Sequence, residues 1–493
     1  MSKYVSPFSV ANRQPLYINS NDPRVSTPGK LAQTIARSGR EIKIVNSNNS
    51  KMALEPFDPN NPPYWFLSKS IQTRNVYSGS ANCNVDVNST NDIKLFVDSP
   101  MSGNFEDIQV FDKNGNRQYG LQVFPDNQYM FSSLSKNTID SQNNFFIAIR
   151  EPDLVINTSN KLIDIVAKYN KNNQLIWAKK FNQSLGGFSI TSLTLDSSDN
   201  LFVLATQAYG THLVSVLIKI NSSGTIQWKT TLSTTSSSVY TLDMATDSSS
   251  NSFIHLTNQS GKDYIVKINS SGSLVWKKMF TVATQYVSSK KSIYIDNSNN
   301  IYAIFNVGGF YGNASKSILL KLDQSGNTLN KKTFNFFGSI YDIVFDTNND
   351  MYMCGNETNS GSLVANIFKT SSSFNVVWHN ILSSNYSFNI SLKDNDIFLD
   401  GMGGSGYSVN NMFLTKIPNS GACESTGTYT VSSYSSSPTN SSSSEILEYT
   451  GTETYPLLVA SSSTAFLSSI TDSTLYLFTD TLYNDISKTK IWV

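Results

Sequence analysis

Three histidines, His212, His255 and His379, are the only side chains of this sequence that ordinarily titrate near neutral pH, and each lies within or beside an alternating, strand-like stretch. No His-Glu-x-x-His, His-x-His or Cys-x-x-Cys pair is present, so a zinc or iron centre would have to draw its ligands from distant parts of the chain. Cys83, Cys354 and Cys423 are far apart and odd in number, which gives no disulfide framework and makes packing their default role. The nearest approach to Gly-x-Ser-x-Gly is Gly403-Gly404-Ser405-Gly406, which has neither the spacing nor the strand-to-helix setting of a nucleophile elbow. Phosphate loops and dinucleotide fingerprints are absent. Asp196, Asp247, Asp296 and Asp346 each open an Asx-rich turn. A calcium loop needs about six to eight oxygens, and each of these turns offers only one or two carboxylates. The expectation is therefore a structural use of these groups, with no catalysis, no metal and no organic cofactor.

What must position these residues is a repeat. The stretch from Lys168 to Trp177 returns as Lys219 to Trp228, Lys267 to Trp276 and Lys369 to Trp378, with Trp nine residues after Lys each time. Lys321 opens a copy with Asn330 in the Trp place, and Lys416 opens one that keeps its start through Gly421. A weaker copy runs from Val110 through Gly115 to Tyr119. The period is about fifty residues. Gly224, Gly272 and Gly326 supply the positive φ of the hairpin inside this unit, while Trp177, Trp228, Trp276 and Trp378 are expected to pack between neighbours. The Asp turns belong to a second hairpin in each period. Two hairpins, hence four short strands, in each of six or seven periods give an all-β chain, a six- or seven-bladed β-propeller of four-stranded blades with an extended N-terminal arm and a small C-terminal β region.

Composition agrees. Ser, Thr, Asn and Gln make up more than a third of the 493 residues, which suits hairpin turns and strands. Only 15% are charged and the formal net charge is +1, which offers no nucleic-acid or membrane-surface footprint. The N-terminal residues lack the apolar core of a secretion signal, and no run of about eighteen apolar residues occurs.

The pairing of Asp-Ser-Ser-Asp-Asn-Leu-Phe-Val at 196–203 with Lys-Ile-Asn-Ser-Ser-Gly-Thr-Ile-Gln-Trp at 219–228 resembles the propeller repeats of bacterial and phage surface or virion proteins. The element Asn221, Gly224, Trp228 also looks like the tryptophan-docking element of quinoprotein dehydrogenase propellers. That second family implies pyrroloquinoline quinone beside an adjacent Cys pair, which this sequence lacks; what carries over is the docking of the tryptophan.

Outside the repeats, 1–70 reads as an extended basic arm with eight basic and two acidic residues up to Lys51 and a short helix at Lys30–Arg37. Tyr4, Phe8, Tyr17, Tyr64, Trp65 and Phe66 are its anchoring aromatics. Strands leading into the propeller are expected at 71–104, the propeller at 105–421, a Ser-rich linker at 422–446 and a β segment at 447–493 that forms a small domain or closes the first blade. These features point to a non-enzymatic structural or attachment component of a virus particle, a phage tail or capsid-associated propeller. Other virion proteins would be its partners through the arm, and a host-surface glycan a further ligand. A glycan-binding adhesin at the cell surface is the alternative, and a polysaccharide-active propeller enzyme the third reading.

Overall fold

The computed structural model describes the strands and tight turns between residues 82 and 421, and the short strands at 16–19, 42–45, 65–68, 431–433, 440–442, 446–448, 458–460, 467–470 and 478–479. The helix expected at Lys30–Arg37 and the residues Tyr4, Phe8 and Tyr64 lie outside the described residues.

Every period builds two hairpins whose turns share one design. In the first hairpin of the third blade the Asp196 carboxylate accepts the backbone N–H groups of Ser198 and Asn200 at 3.0 and 2.9 Å, and Asp199 takes φ 58°. In the second hairpin the Asn221 side chain accepts the Thr225 N–H at 2.7 Å and Gly224 takes φ 86°. A side-chain oxygen at the first position thus stands in for a backbone acceptor, and a residue tolerant of the left-handed region follows three positions on. The ladder shifts register at Lys219/Ile220, the bulge that such a turn produces.

Seven antiparallel blades result. The inner to outer strands of the third are Phe188–Leu195, Leu201–Tyr209, His212–Ile220 and Ile226–Ser233. Blades two, four, five and six occupy residues 133–181, 239–282, 286–334 and 338–382 in the same order. Blade one starts with Asn82–Val87 and Ile93–Asp98, so the ring begins before the first recognisable repeat. Blade seven takes three strands from 385–418, and its fourth, outer strand is Trp65–Ser68 from the far end of the sequence. Trp65 and Phe66, read above as arm anchors, are therefore part of the ring's closing strand. The ring is thus closed in its last blade from the N-terminal side, while blade one has four strands of its own and receives Phe478–Thr479 of the C-terminal segment as a fifth. Trp65 stands opposite Lys416, the register position that Trp228 holds opposite Lys219. Contact between the inner strands Asn385–Lys393 and Asn82–Val87 completes the circle.

The residues after the last blade do not make a domain of their own. The strands Val431–Ser433, Asn440–Ser442, Ile446–Glu448, Leu458–Ala460, Leu467–Ile470 and Phe478–Thr479 add a fifth, antiparallel strand to the outer edge of blades six, five, four, three, two and one, in that order. Two of them fall in the stretch expected to be a linker. Because a strand edge needs only backbone partners, a run as polar as Asn440-Ser441-Ser442 can pair without any apolar pattern.

Residues 1–62 are a separate unit in which Leu16–Asn19, with Tyr17, pairs in parallel with Ile42–Val45.

The C-terminal strands cover edges that would otherwise be open for pairing with other chains. A protein ending at residue 424 is expected to keep the β circular dichroism of the ring, to melt at lower temperature and to associate with rising concentration. Light scattering after size-exclusion chromatography checks this; a monomer at all concentrations would count against the covering role.

Candidate functional site

The chemistry-bearing residues gather in two places, the contacts between blades and the inner strands about the axis.

Between blades, one unit recurs. The Lys that opens each repeat projects from the third strand and meets the Asp of its own blade's first turn: Lys168–Asp140 2.9 Å, Lys219–Asp196 3.0 Å, Lys369–Asp346 3.3 Å and Lys416–Asp396 2.7 Å. Lys267 instead reaches the Gln324 side chain of the next blade at 2.7 Å. The ammonium also lies over a second-strand aromatic ring, 4.9 Å from the centroids of Phe146 and Phe202, 5.2 Å from Phe253 and 4.8 Å from Tyr352. Packed edge-on or tilted against these same rings are Trp177, Trp228, Trp276 and Trp378, at 5.8, 5.8, 6.0 and 6.1 Å. Each indole then crosses to the following blade. Its Nε1 donates to a turn carbonyl, Ser222, Ser270, Gln324 or Asn419, at 2.9–3.2 Å. A Cβ built on Gly272 would sit 2.8 Å from the Trp228 ring, and one on Gly421 2.6 Å from Trp378. Glycine is thus required twice over there, for its φ and for the approach of the indole. The tryptophans are half-buried rather than enclosed, since their polar edges lie at the turn.

Burial alone would raise the Asp196 carboxyl. Hydrogen bonds from Asn200, Lys219 and Ser250 outweigh it and hold this carboxyl below the usual range. Lys369 behaves likewise: burial lowers it, and bonds to Tyr352, Asp350 and Asp346 more than restore the charged form. Blade one varies the theme. Lys94 takes the second-strand position, opposite Val110, and its ammonium lies 4.1 Å from the centroid of the next blade's Phe145, with burial pushing it down to about 8.

The fifth interface exchanges its parts. Asn330 replaces Trp in blade five, and Phe374 of blade six occupies the glycine position at φ 67° while fully buried. Phe374 meets Tyr302 at 6.0 Å and 67°, the geometry that Trp228 holds to Phe202. One aromatic ring has been lost from one side of the interface and supplied from the other.

A chain of buried polar contacts starts on the inner strands of blades three, four and five and runs outward into the second and third strands of blade four. Asp243 accepts from Ser192 Oγ at 2.8 Å and from the Ser292 N–H at 2.9 Å. Ser292 Oγ lies 2.9 Å from His255 Nδ1, and His255 Nε2 faces Asp263 at 3.6 Å. Burial raises the Asp243 carboxyl, with Lys136 and the hydrogen bonds opposing. Burial, then the Asp342 and Asp243 carboxylates, push the Tyr294 phenol well up. Ser292, His255 and Asp263 have the residue types of a hydrolase triad, but all three show 0% exposure and the hydroxyl lies on Nδ1. The Ser292–His255 contact fastens blade five to blade four, and Asp263 backs the imidazole from within blade four.

The predicted Trp, Gly and Asp residues are thus brought together, Gly326 lying against Trp276 as Gly272 lies against Trp228, apart from Asp247, whose carboxylate binds its own turn while Lys267 reaches the next blade. The lysines and second-strand aromatics complete the site beyond the residues expected above, and their sequence signal is the Lys that opens every clear copy of the repeat.

No protein-family model and no curated protein matches the chain. Among solved structures it is similar to the polysaccharide lyase Uly1 (8% identity over 72% of this chain and 99% of that one, TM-score 0.45). It is similar to a PL25 ulvan lyase bound to -[GlcA(1-4)Rha3S]- (8%, 71% and 96%, TM-score 0.45) and to the tail fibre of Staphylococcus aureus phage P68 (9%, 74% and 95%, TM-score 0.26). The expectation that the chain is not an enzyme is corrected by this finding, since two of these structures are enzymes.

Two measurements check the interface. Phe374→Gly removes a buried ring and relieves a strained φ, for a net loss of about 2–4 kcal/mol. Adding Asn330→Trp to Phe374→Gly restores the usual arrangement and should recover most of it; a double variant no more stable than the single one would refute the exchange. The second concerns His379, buried and edge-on to Phe368 at 5.7 Å, whose imidazole burial pushes down from 6.5 to about 4. Between those pH values the unfolded chain takes up a proton that the folded ring refuses. Stability is therefore full above pH 6.5 and falls by up to about 3 kcal/mol on acidification towards pH 4. Urea unfolding at pH 7 and 4.5 should show this fall, and His379→Leu should flatten it.

Proposed function

We propose that this propeller is a structural or attachment component of a particle that works outside the cell, and specifically of a virion. The observation that carries the reading is the way the ring is held: Lys–Asp pairs and docked indoles tie blade to blade, buried polar contacts tie the inner strands, and a C-terminal strand lies on six of the seven outer edges. Removing one partner from a buried ion pair typically costs about 3–5 kcal/mol, so a ring with several such pairs is costly to open. A part that transmits load or presents a fixed surface benefits from that resistance.

Residues 1–62, a unit of their own with a strong basic excess, supply the attachment to neighbouring proteins of the assembly in this reading. A variant lacking residues 1–62 keeps the closing strand at 65–68. It is expected to fold as a ring and to be missing from purified particles, by quantitative mass spectrometry of particles against lysate. Incorporation at the wild-type level would sink the arm's role. Absence of the wild-type protein from particles, together with binding on a glycan array or turnover of a polysaccharide, would replace the virion reading.

A further inference from the structure

Two lysines enter the cleft between blades two and three from opposite walls. Along the outer strand Leu175–Phe181 of blade two, Trp177 and Lys179 share the face turned to blade three, from which the Trp177 indole docks on Ser222. In three other blades the residue two after the Trp position lies over the next blade's glycine turn. Thr230 Oγ1 donates to the Gly272 carbonyl, Asn380 Nδ2 donates to that of Gly421 at 2.7 Å, and Lys278 Cε lies 3.2 Å from a Cβ built on Gly326. Lys179 holds this position towards the Gly224 turn. On the outer strand Ile226–Ser233 of blade three, Gln227 and Lys229 alternate with Trp228, which docks on blade four, so they face back towards blade two.

These two charges differ from the lysines that open the repeats, each of which meets a carboxylate or an amide oxygen. Among the described residues neither Lys179 nor Lys229 has a hydrogen bond or an ion pair, and the two outer strands carry no carboxylate. Asp164, which stands opposite Phe181, is fully buried and has a contact of its own. Lys229 is partly buried, and burial alone pushes its amine down with no carboxylate opposing. Two like charges in a partly desolvated cleft work against the fold until a partner supplies negative charge.

Building on the attachment reading above, we propose that this cleft binds the carboxylate or sulfate groups of an acidic polysaccharide. The side chains around the lysines select that class. Thr225 and Gln227 are exposed, as are Ser222 and Ser223 of the turn, and Trp177 is half-buried beside them. Hydroxyl and amide groups suit sugar hydroxyls, an indole suits the apolar face of a pyranose, and two ammonium groups suit a uronate or a sulfate ester. Blades four and five repeat the pair as Lys278 and Lys331, but those two make further contacts.

Calorimetric titration of the full-length protein with polygalacturonate and with dextran sulfate, beside neutral dextran and polyglutamate, tests the site. The expected result is binding to at least one acidic polysaccharide and none to dextran. Affinity should fall at least tenfold in Lys179→Gln/Lys229→Gln and hold within twofold in Lys171→Gln, an exposed turn lysine of the same blade. Lys229→Met should raise the melting temperature while weakening binding, because it removes an unpaired, partly buried charge. A lower melting temperature would mark Lys229 as a support of the fold and count against the site. No binding by the wild type, equal binding by the double variant, or an equal loss in Lys171→Gln overturns the proposal. Polyglutamate bound as tightly as the polysaccharides overturns it in favour of an acidic protein partner. These titrations use purified protein, so their failure is separate from a failure to find the protein in particles.

Discussion

The constraint on which this ring depends is that one blade's side chains complete the next blade's turn. A four-stranded sheet has two faces and a free outer edge, and it cannot bury enough apolar surface alone to offset the entropy of ordering some fifty residues. The docked indole solves part of this. It rests on an aromatic ring of its own blade, covers a glycine of the next and satisfies a carbonyl there. The spacing of nine residues between Lys and Trp follows from it, because the two residues face each other across the third and fourth strands, with the bulged turn between them.

Charge is used economically. With 15% charged residues, the chain places many of them where charge is costly, in the seam between strands beneath the turns. A buried ammonium there is tolerable because it has a carboxylate on one side and the face of an aromatic ring on the other. The Asp is held by the backbone N–H groups of its own turn independently of the Lys, so the pair needs little further ordering. The axis follows the same rule with hydroxyls and carboxylates, where Asp243 takes one donor from each neighbouring blade.

Departures from the repeat show which features are interchangeable. Where Trp is missing at Asn330, the ring returns as Phe374 from the opposite blade, at the cost of a positive φ for a bulky residue. The interface thus demands one aromatic volume against the second-strand ring and is indifferent to which strand delivers it. Blade one moves its lysine from the third strand to the second and finds an aromatic in the next blade instead. Blade seven takes its tryptophan position from sequence more than three hundred residues away.

The local chemistry was legible in the sequence: Asn-x-x-Gly and Asp-x-x-x-Asn write the turns, period-two alternation writes the strands, and the fifty-residue recurrence writes the propeller. Those signals act over a few residues, so each copy carries them independently of the others. The number of blades, the closing strand at 65–68, the reverse path of the C-terminal belt and the Asn330–Phe374 exchange were settled only by the tertiary structure. Their physical reason is common. Pairing at a sheet edge is made by backbone N–H and C=O groups that every non-proline residue possesses, and the packing of an interface depends on total volume. Neither requirement leaves a fixed residue at a fixed spacing, so Trp65 reads as part of an arm and Asn440-Ser441-Ser442 as a linker until the ring that holds them is seen.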